Sequence, residues 1–168
     1  MIEISQITPD FAIGPQPEAA DIADLAKAGF RSILNARPDD EAGTYLVSSD
    51  ARALAGDAGL AYAHAPTGNH AIFEDQAIDN FEQAMVDLPG PVFAHCKSGT
   101  RAAILWALVA SRHRPVEEVI ETLRTAGQEL DFLEQELRDA ASSASRSPLR
   151  LRDDGLMKLG QSRLLRGN

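Results

Sequence analysis

The chain is poor in several things, and each shortage closes off a class of function. It has a single cysteine, Cys96. One thiol excludes an internal disulfide framework and a cysteine-rich zinc site, which leaves nucleophilic chemistry or simple burial for it. No long hydrophobic run is present: the longest, Ala102 to Ala110, is far too short to span a bilayer, and the segment Met1 to Ser5 carries neither a basic region nor an apolar stretch. The expectation is therefore a cytoplasmic protein that neither enters a membrane nor is exported. Aromatic residues make up only 5% of the chain, so no deep aromatic slot is legible. Positive charge is also scarce, with a net charge of −9, which argues against nucleic acid as a partner because phosphate backbones reward basic surfaces.

What is present suits one domain. A chain of 168 residues buries roughly two thirds of its unfolded surface and supports a core without covalent staples. Charge is unevenly spread along it. Residues 142–168 hold six basic residues against two acidic ones, whereas residues 1–141 hold ten against 23, giving a body near −13 and a tail near +4. The reading is a catalytic-sized body over 1–141 and a basic C-terminal tail over 142–168, lying on that body or on a partner.

Read in order, Ile2 to Ser5 and Phe11 to Ile13 are short strand candidates on either side of a Thr8-Pro9-Asp10 turn. Apolar positions Ala19, Ile22, Leu25 and Ala26 recur at helical spacing, and Gly29 stops that helix. Ser32 to Asn35 reads as a buried strand, and Pro38 makes Ala36 to Glu41 a loop. Ser48, Ser49 or Asp50 caps a helix to Ala58, Leu60 to Ala63 is another interior strand, and Ala65 to His70 is loop-like. Ala77, Ile78, Phe81, Ala84, Met85 and Leu88 share a helical face ahead of Pro89-Gly90-Pro91. Val116 to Leu123 and Leu130 to Leu137 give two further helices; Ser142 to Pro148 looks like a linker. Asp153-Asp154-Gly155 signals a turn, with a hairpin or a short helix equally open around it. Such alternation predicts an α/β fold: a central, mostly parallel sheet flanked by helices, with a C-terminal helical part and ligands beyond the carboxyl ends of the strands.

The most chemical stretch is Val92 to Arg101. An apolar strand ends at His95-Cys96, the loop Lys97-Ser98-Gly99-Thr100 follows, and Arg101 opens an apolar helix. Strand, tight loop and helix N-terminus together aim backbone N–H groups and the positive end of a helix dipole at one place. A thiol there is expected to ionise readily and act as a nucleophile, while Arg101 offers a planar fork of donors to an oxyanion. Lys97, Ser98, Gly99 and Thr100 are the expected substrate-cradling residues, and His95 is expected to orient the loop by hydrogen bonding. Arg37 is a second cationic contact or a salt-bridge partner of Asp39 or Glu41, and His70 is a candidate substrate contact. Trp106 reads as core.

His95 to Arg101 resembles the active-site loop of the protein tyrosine and dual-specificity phosphatase superfamily. Together with Asn35 to Glu41 and Trp106, it is more closely similar to the bacterial beta-lactamase-hydrolase-like, phosphatase-like domain family, over roughly residues 1–140. The resemblance implies a dual-specificity-phosphatase-like fold with Cys96 as nucleophile, Arg101 and the loop amides as anion cradle, no cofactor and no metal. It also implies a general acid on the loop after the strand preceding the nucleophile's. That loop, Ala65 to Phe73, holds no carboxylate. Asp75 in the next helix turn is the candidate, with Asp39, Asp40 and Glu41 as alternatives; all four also suit the ordinary role of turn or helix-start carboxylates.

The loop departs from the superfamily in one respect. Four residues separate Cys96 from Arg101 where the phosphatase signature has five, and four is the spacing of rhodanese-type sulfurtransferases. Three readings follow: a cysteine-based phosphatase acting on a small anionic substrate or a phosphoprotein, a sulfurtransferase fed by a persulfide donor, and a non-catalytic anion-binding module.

Overall fold

The computed structural model describes residues 2–143 and 153–160. Five strands form one sheet in the order β1-β2-β5-β3-β4, with β1 Ser5–Thr8, β2 Phe11–Gly14, β3 Ser32–Asn35, β4 Ala61–His64 and β5 Val92–His95. β1 pairs antiparallel with β2; the remaining pairs are parallel, as the alternation of elements predicts. Helices α1 (Ala19–Lys27) and α2 (Ser48–Asp57) follow β2 and β3, and α3 (Asp75–Asp87) follows β4. Beyond β5 come α4 (Thr100–Ser111), α5 (Val116–Thr125), α6 (Glu134–Ser142) and α7 (Asp153–Lys158).

Strands buried on both faces of a parallel sheet read as continuous apolar runs, because each alternate side chain meets a different helix layer. Ile33 and Phe93 join Ile22 and Leu25 of α1 and Ala51 and Ala55 of α2 in one cluster. Leu34, Val92 and Ala94 join the larger cluster built from α3 to α6, in which Trp106 is fully buried against Phe11 at a ring-centroid separation of 6.4 Å. The helix α4 is apolar nearly all round because it runs through the middle of that layer.

Three local expectations are corrected. The first strand forms at Ser5–Thr8 rather than Ile2 to Ser5: Ser5 pairs with Ile13, and the register shifts between Gln6 and Thr8 to reach the turn at Pro9. The cap of α2 comes from outside the helix, where Asp39 accepts hydrogen bonds from the Ser48 N–H at 2.8 Å and its hydroxyl at 2.5 Å. Asp153-Asp154-Gly155 lies within the helix α7 instead of a turn. Of the basic tail, Arg146, Arg150, Arg152, Arg163 and Arg166 lie outside the described residues, as do most of the expected linker and the Leu149 to Arg152 segment. Lys158 is described and fully buried: its ammonium donates to the carbonyls of Met85 and Leu88 at the end of α3, and its own carbonyl accepts from Trp106 Nε1 at 3.2 Å. Thr8 reaches the same carbonyl with its hydroxyl at 3.2 Å, so α7 docks at the end of the sheet remote from Cys96.

Candidate active site

Loops after β2, β3, β4 and β5 converge where the parallel strands end. The Ala36 N–H donates to the His95 carbonyl at 2.8 Å, the Thr67 N–H to the Ala36 carbonyl at 2.9 Å, and the Gln16 N–H to the Lys97 carbonyl at 3.0 Å. Backbone hydrogen bonds thus tie four loops into one rim around Cys96. The chain after β5 turns sharply through Gly99, whose φ of +104° is a left-handed conformation that only glycine adopts without strain. A Cβ at Gly99 would also lie 3.3 Å from the backbone of Gly14.

This turn brings the Gly99 N–H to 3.2 Å from the Cys96 sulfur, at the first turn of α4. Cys96 is 1% exposed. Lys97, Ser98 and Thr100 are exposed around it, while Gly99 is buried. The imidazole of His95 is completely buried, stacked on Phe93, with Nδ1 3.1 Å from the Cys96 carbonyl. Burial lowers its pKa from 6.5 to about 4, helped by the nearby charges of His64 and Arg37 and opposed by the hydrogen bond to Cys96. His95 is therefore neutral at pH 7, and donation from Nδ1 to the Cys96 carbonyl is the tautomer that satisfies this contact. It shapes the loop and carries no charge into it.

Arg101 is 6% exposed and held on two sides. Its NH1 donates to Glu41 Oε2 and to the Thr67 carbonyl, both at 2.8 Å, and NH2 donates to Glu41 Oε1 at 3.3 Å. Nε is buried and has no hydrogen-bond partner among the described residues. Arg37 is likewise buried; it donates through Nε to Glu41 Oε1 at 3.1 Å and through NH2 to the Ala42 carbonyl at 3.2 Å, with its guanidinium 3.4 Å from the centre of the Tyr45 ring. Of the two salt-bridge partners considered for Arg37, Glu41 is the one that makes it. Beside this cluster a cleft of about 570 Å3 opens, lined by Gln16, Pro17, Arg37, Tyr45, Leu46 and Val47 among others.

A family model described as the phosphatase-like domain of beta-lactamase hydrolase-like protein matches residues 3–112. The chain belongs to that family. Beta-lactamase hydrolase-like proteins of Agrobacterium fabrum and Xylella fastidiosa are 42% identical over 103 residues and 39% identical over 107 residues, covering 61% and 64% of this chain. Only 24% and 25% of those relatives' own lengths are matched, so the phosphatase-like domain spans about a quarter of them. Among solved structures, a candidate phosphatase from Neisseria meningitidis superposes with a TM-score of 0.70 at 28% identity, covering 82% of this chain and 97% of that one. Kinase-associated phosphatase, at 16% identity, shares the fold with a TM-score of 0.65 over 84% of this chain and 97% of its own. The phosphatase-like domain therefore has the fold of the protein tyrosine and dual-specificity phosphatases.

Not all the candidate residues meet at the loop. Asp75 begins α3 and lines a separate small cleft with Phe73, Leu108, Glu136 and Asp139, which no residue of 95–101 lines. Glu74 is the N-cap residue of α3. Asp39 is engaged at the start of α2; the Ser48 hydroxyl hydrogen bond lowers its pKa and keeps it ionised. His70 is exposed and folds back on Gly68, next to the Thr67 carbonyl that Arg101 uses. Sequence reasoning passed over the parts played by Thr67, Gln16 and Tyr45. Thr67 contributes its backbone carbonyl, and Gln16 its backbone N–H together with a side-chain oxygen that accepts from Arg37 NH1 at 3.4 Å; these partners are distant in sequence, so only the tertiary arrangement reveals them. Among the described residues no group of three or more His, Cys, Asp or Glu side chains is placed to hold a metal ion, and no helix is long and apolar enough to cross a membrane.

Proposed function

We propose that the domain is a cysteine-based phosphatase that hydrolyses phosphate monoesters of small anionic molecules or phosphoproteins. The observation that carries this reading is the buried, unpartnered Nε–H of Arg101 in the same short loop where the Gly99 N–H meets the Cys96 sulfur. In the proposed reaction the Cys96 thiolate attacks phosphorus, the bond to the leaving oxygen breaks, and the oxygen departs with the electron pair. Water then cleaves the phosphocysteine, releasing inorganic phosphate and restoring the thiol. Arg101 and the loop N–H groups stabilise charge on the transferring group, which is where electrostatic preorganisation contributes most. Family membership and the fold of the solved phosphatases support the assignment.

Asp39 caps α2, the Glu41 carboxylate is held by Arg101 and Arg37, and Asp75 faces another cleft, so the reading favours substrates whose leaving group departs without help from an acid. The four-residue spacing of Lys97 to Thr100 favours a second reading, transfer of a terminal sulfur through a Cys96 persulfide, because a tighter ring of N–H groups suits a single sulfur atom. A paired assay of the wild type and Cys96→Ser decides between them. Aryl phosphate hydrolysis that is lost on substitution supports the phosphatase. Phosphate turnover that survives it removes Cys96 from the mechanism. Sulfur transfer from thiosulfate to cyanide without phosphate turnover overturns the first reading in favour of the second. Silence in both, with phosphate still binding the loop, leaves an anion-binding module.

A further inference from the structure

Among the described residues the exposed large apolar side chains are Phe73 and Phe132, at 48% and 75% exposure. Phe73 walls the small cleft, about 110 Å3 in volume, between the start of α3 and α6. Phe132 sits on the helical turn Asp131–Leu133 that leads into α6, four residues before Glu136, another residue of the cleft wall. A lone exposed apolar side chain is ordinary. Here it adjoins an acceptor without a donor: Glu136 Oε2 is buried and has no hydrogen-bond partner among the described residues.

The rest of the cleft explains why nothing on this chain supplies that donor. Its floor is apolar, made by the buried side chains of Ile78, Leu108 and Ala140. Its remaining polar lining is Asp75 and Asp139, and Asp139 already accepts from Gln135 Nε2 at 3.0 Å. No basic side chain lines the cleft. The arginines on the elements around it are engaged: Arg138 donates to Glu117 at 2.8 Å and Glu134 at 2.7 Å, and Arg112 to Asp79 and Glu82, both at 2.8 Å. A carboxylate oxygen removed from water without a donor is destabilising, and an incoming charged donor relieves it.

We infer that this cleft is a docking site for an arginine side chain presented by a protein partner. An arginine matches both halves of the lining. Its methylenes pack along Phe73, Ile78 and Leu108, and its planar fork of donors meets Glu136 and the flanking carboxylates. An exposed phenyl face beside the cleft also attracts a guanidinium. A small inorganic cation fits less well, because apolar side chains occupy the directions from which its oxygen ligands would come. The net charge of −9 favours the approach of a basic segment. No residue of 95–101 lines the cleft, so a partner held there leaves the Cys96 loop open, and the inference stands whether that loop transfers phosphate or sulfur.

The test is a titration of the 15N-labelled full chain with the peptide acetyl-Gly-Leu-Arg-Leu-Gly-amide, followed by amide chemical shifts. A control peptide carries citrulline, which keeps the shape of arginine and removes its charge. The arginine peptide is expected to shift the amides of Phe73, Asp75, Glu136 and Asp139 with a dissociation constant on the order of 1 mM, since it offers a single anchor. Citrulline should weaken binding about tenfold or more, and Glu136→Gln should weaken the arginine peptide about tenfold while leaving the citrulline peptide unchanged. Phe73→Ala should weaken both peptides, and added salt only the arginine one. The citrulline comparison needs no variant, so it decides the matter even where a substitution loses the near-UV signal of the buried Trp106.

Equal binding of the two peptides overturns the inference, as does an arginine peptide that shifts no amide of the cleft at several times the expected dissociation constant. Shifts centred on residues 95–101 overturn it by placing the peptide at the anion cradle. Shifts at the cleft that grow with protein concentration alone, without peptide, overturn it in favour of a second copy of this chain.

Discussion

Removing His95 should change how stability depends on acid. The imidazole is fully buried and its pKa is lowered from 6.5 to about 4, chiefly by burial. An unfolded chain therefore takes up a proton near pH 6.5 that the folded chain refuses until about pH 4. Stability contributed by the neutral ring is complete above pH 6.5, declines as the pH falls through that value and is lost by about pH 4. The full difference corresponds to about 3 kcal/mol, of which about 2 kcal/mol has gone by pH 5. His95→Asn keeps a side-chain N–H near the position of Nδ1 but cannot titrate. Urea unfolding of both proteins at pH 7.5 and pH 5 measures the effect. The wild-type midpoint should fall about 1 M further than the variant's, for a slope of roughly 2 kcal/mol per molar urea. The comparison cancels the other three histidines. It also leaves aside Glu82, where burial alone raises the pKa but hydrogen bonds from His113 and Arg112 outweigh it, so that its contribution is lost only at lower pH, as its depressed folded pKa is passed. Parallel midpoint shifts in wild type and His95→Asn would refute the claim that His95 is neutral because it is buried.

Lys158→Met should destabilise the domain by about 2–4 kcal/mol in urea unfolding, because the Met85 and Leu88 carbonyls lose a buried donor, while turnover per folded molecule stays the same. Gly99→Ala should cost about 1–3 kcal/mol from its φ of +104° and its closeness to Gly14, and should cut aryl phosphate turnover at least about tenfold by moving the N–H that meets Cys96. Turnover should fall steeply as the leaving-group pKa rises in a series of aryl phosphates. Asp75→Asn should change turnover on the poorest of them by less than about threefold, where loss of a true general acid costs about 100-fold.

Sequence alone determined the order of most elements and singled out the candidate loop, because both are written in local patterns. Val92 to His95 is a buried strand by its apolar run, and Gly99 marks the place where the loop needs a backbone that other residues resist. Arg101 opens a helix whose apolar residues define the core. The family likeness of His95 to Arg101 was likewise readable, since a strand, loop and helix start form one continuous segment. Stretches with weak local signals were not readable: β1 settled three residues later than expected because its register is chosen by β2, and Asp153 to Lys158 became a helix where it packs on Trp106 and the end of α3. The job of each charged side chain was decided only by tertiary structure. Asp39, Glu41 and Asp75 are interchangeable as sequence letters, yet one caps α2, one holds two arginines and one faces a different cleft. A carboxylate takes its role from the donors that the fold brings within about 3 Å of it, and those donors come from distant parts of the chain. Glu41 meets Arg101 across 60 positions of sequence, a separation that no local pattern encodes.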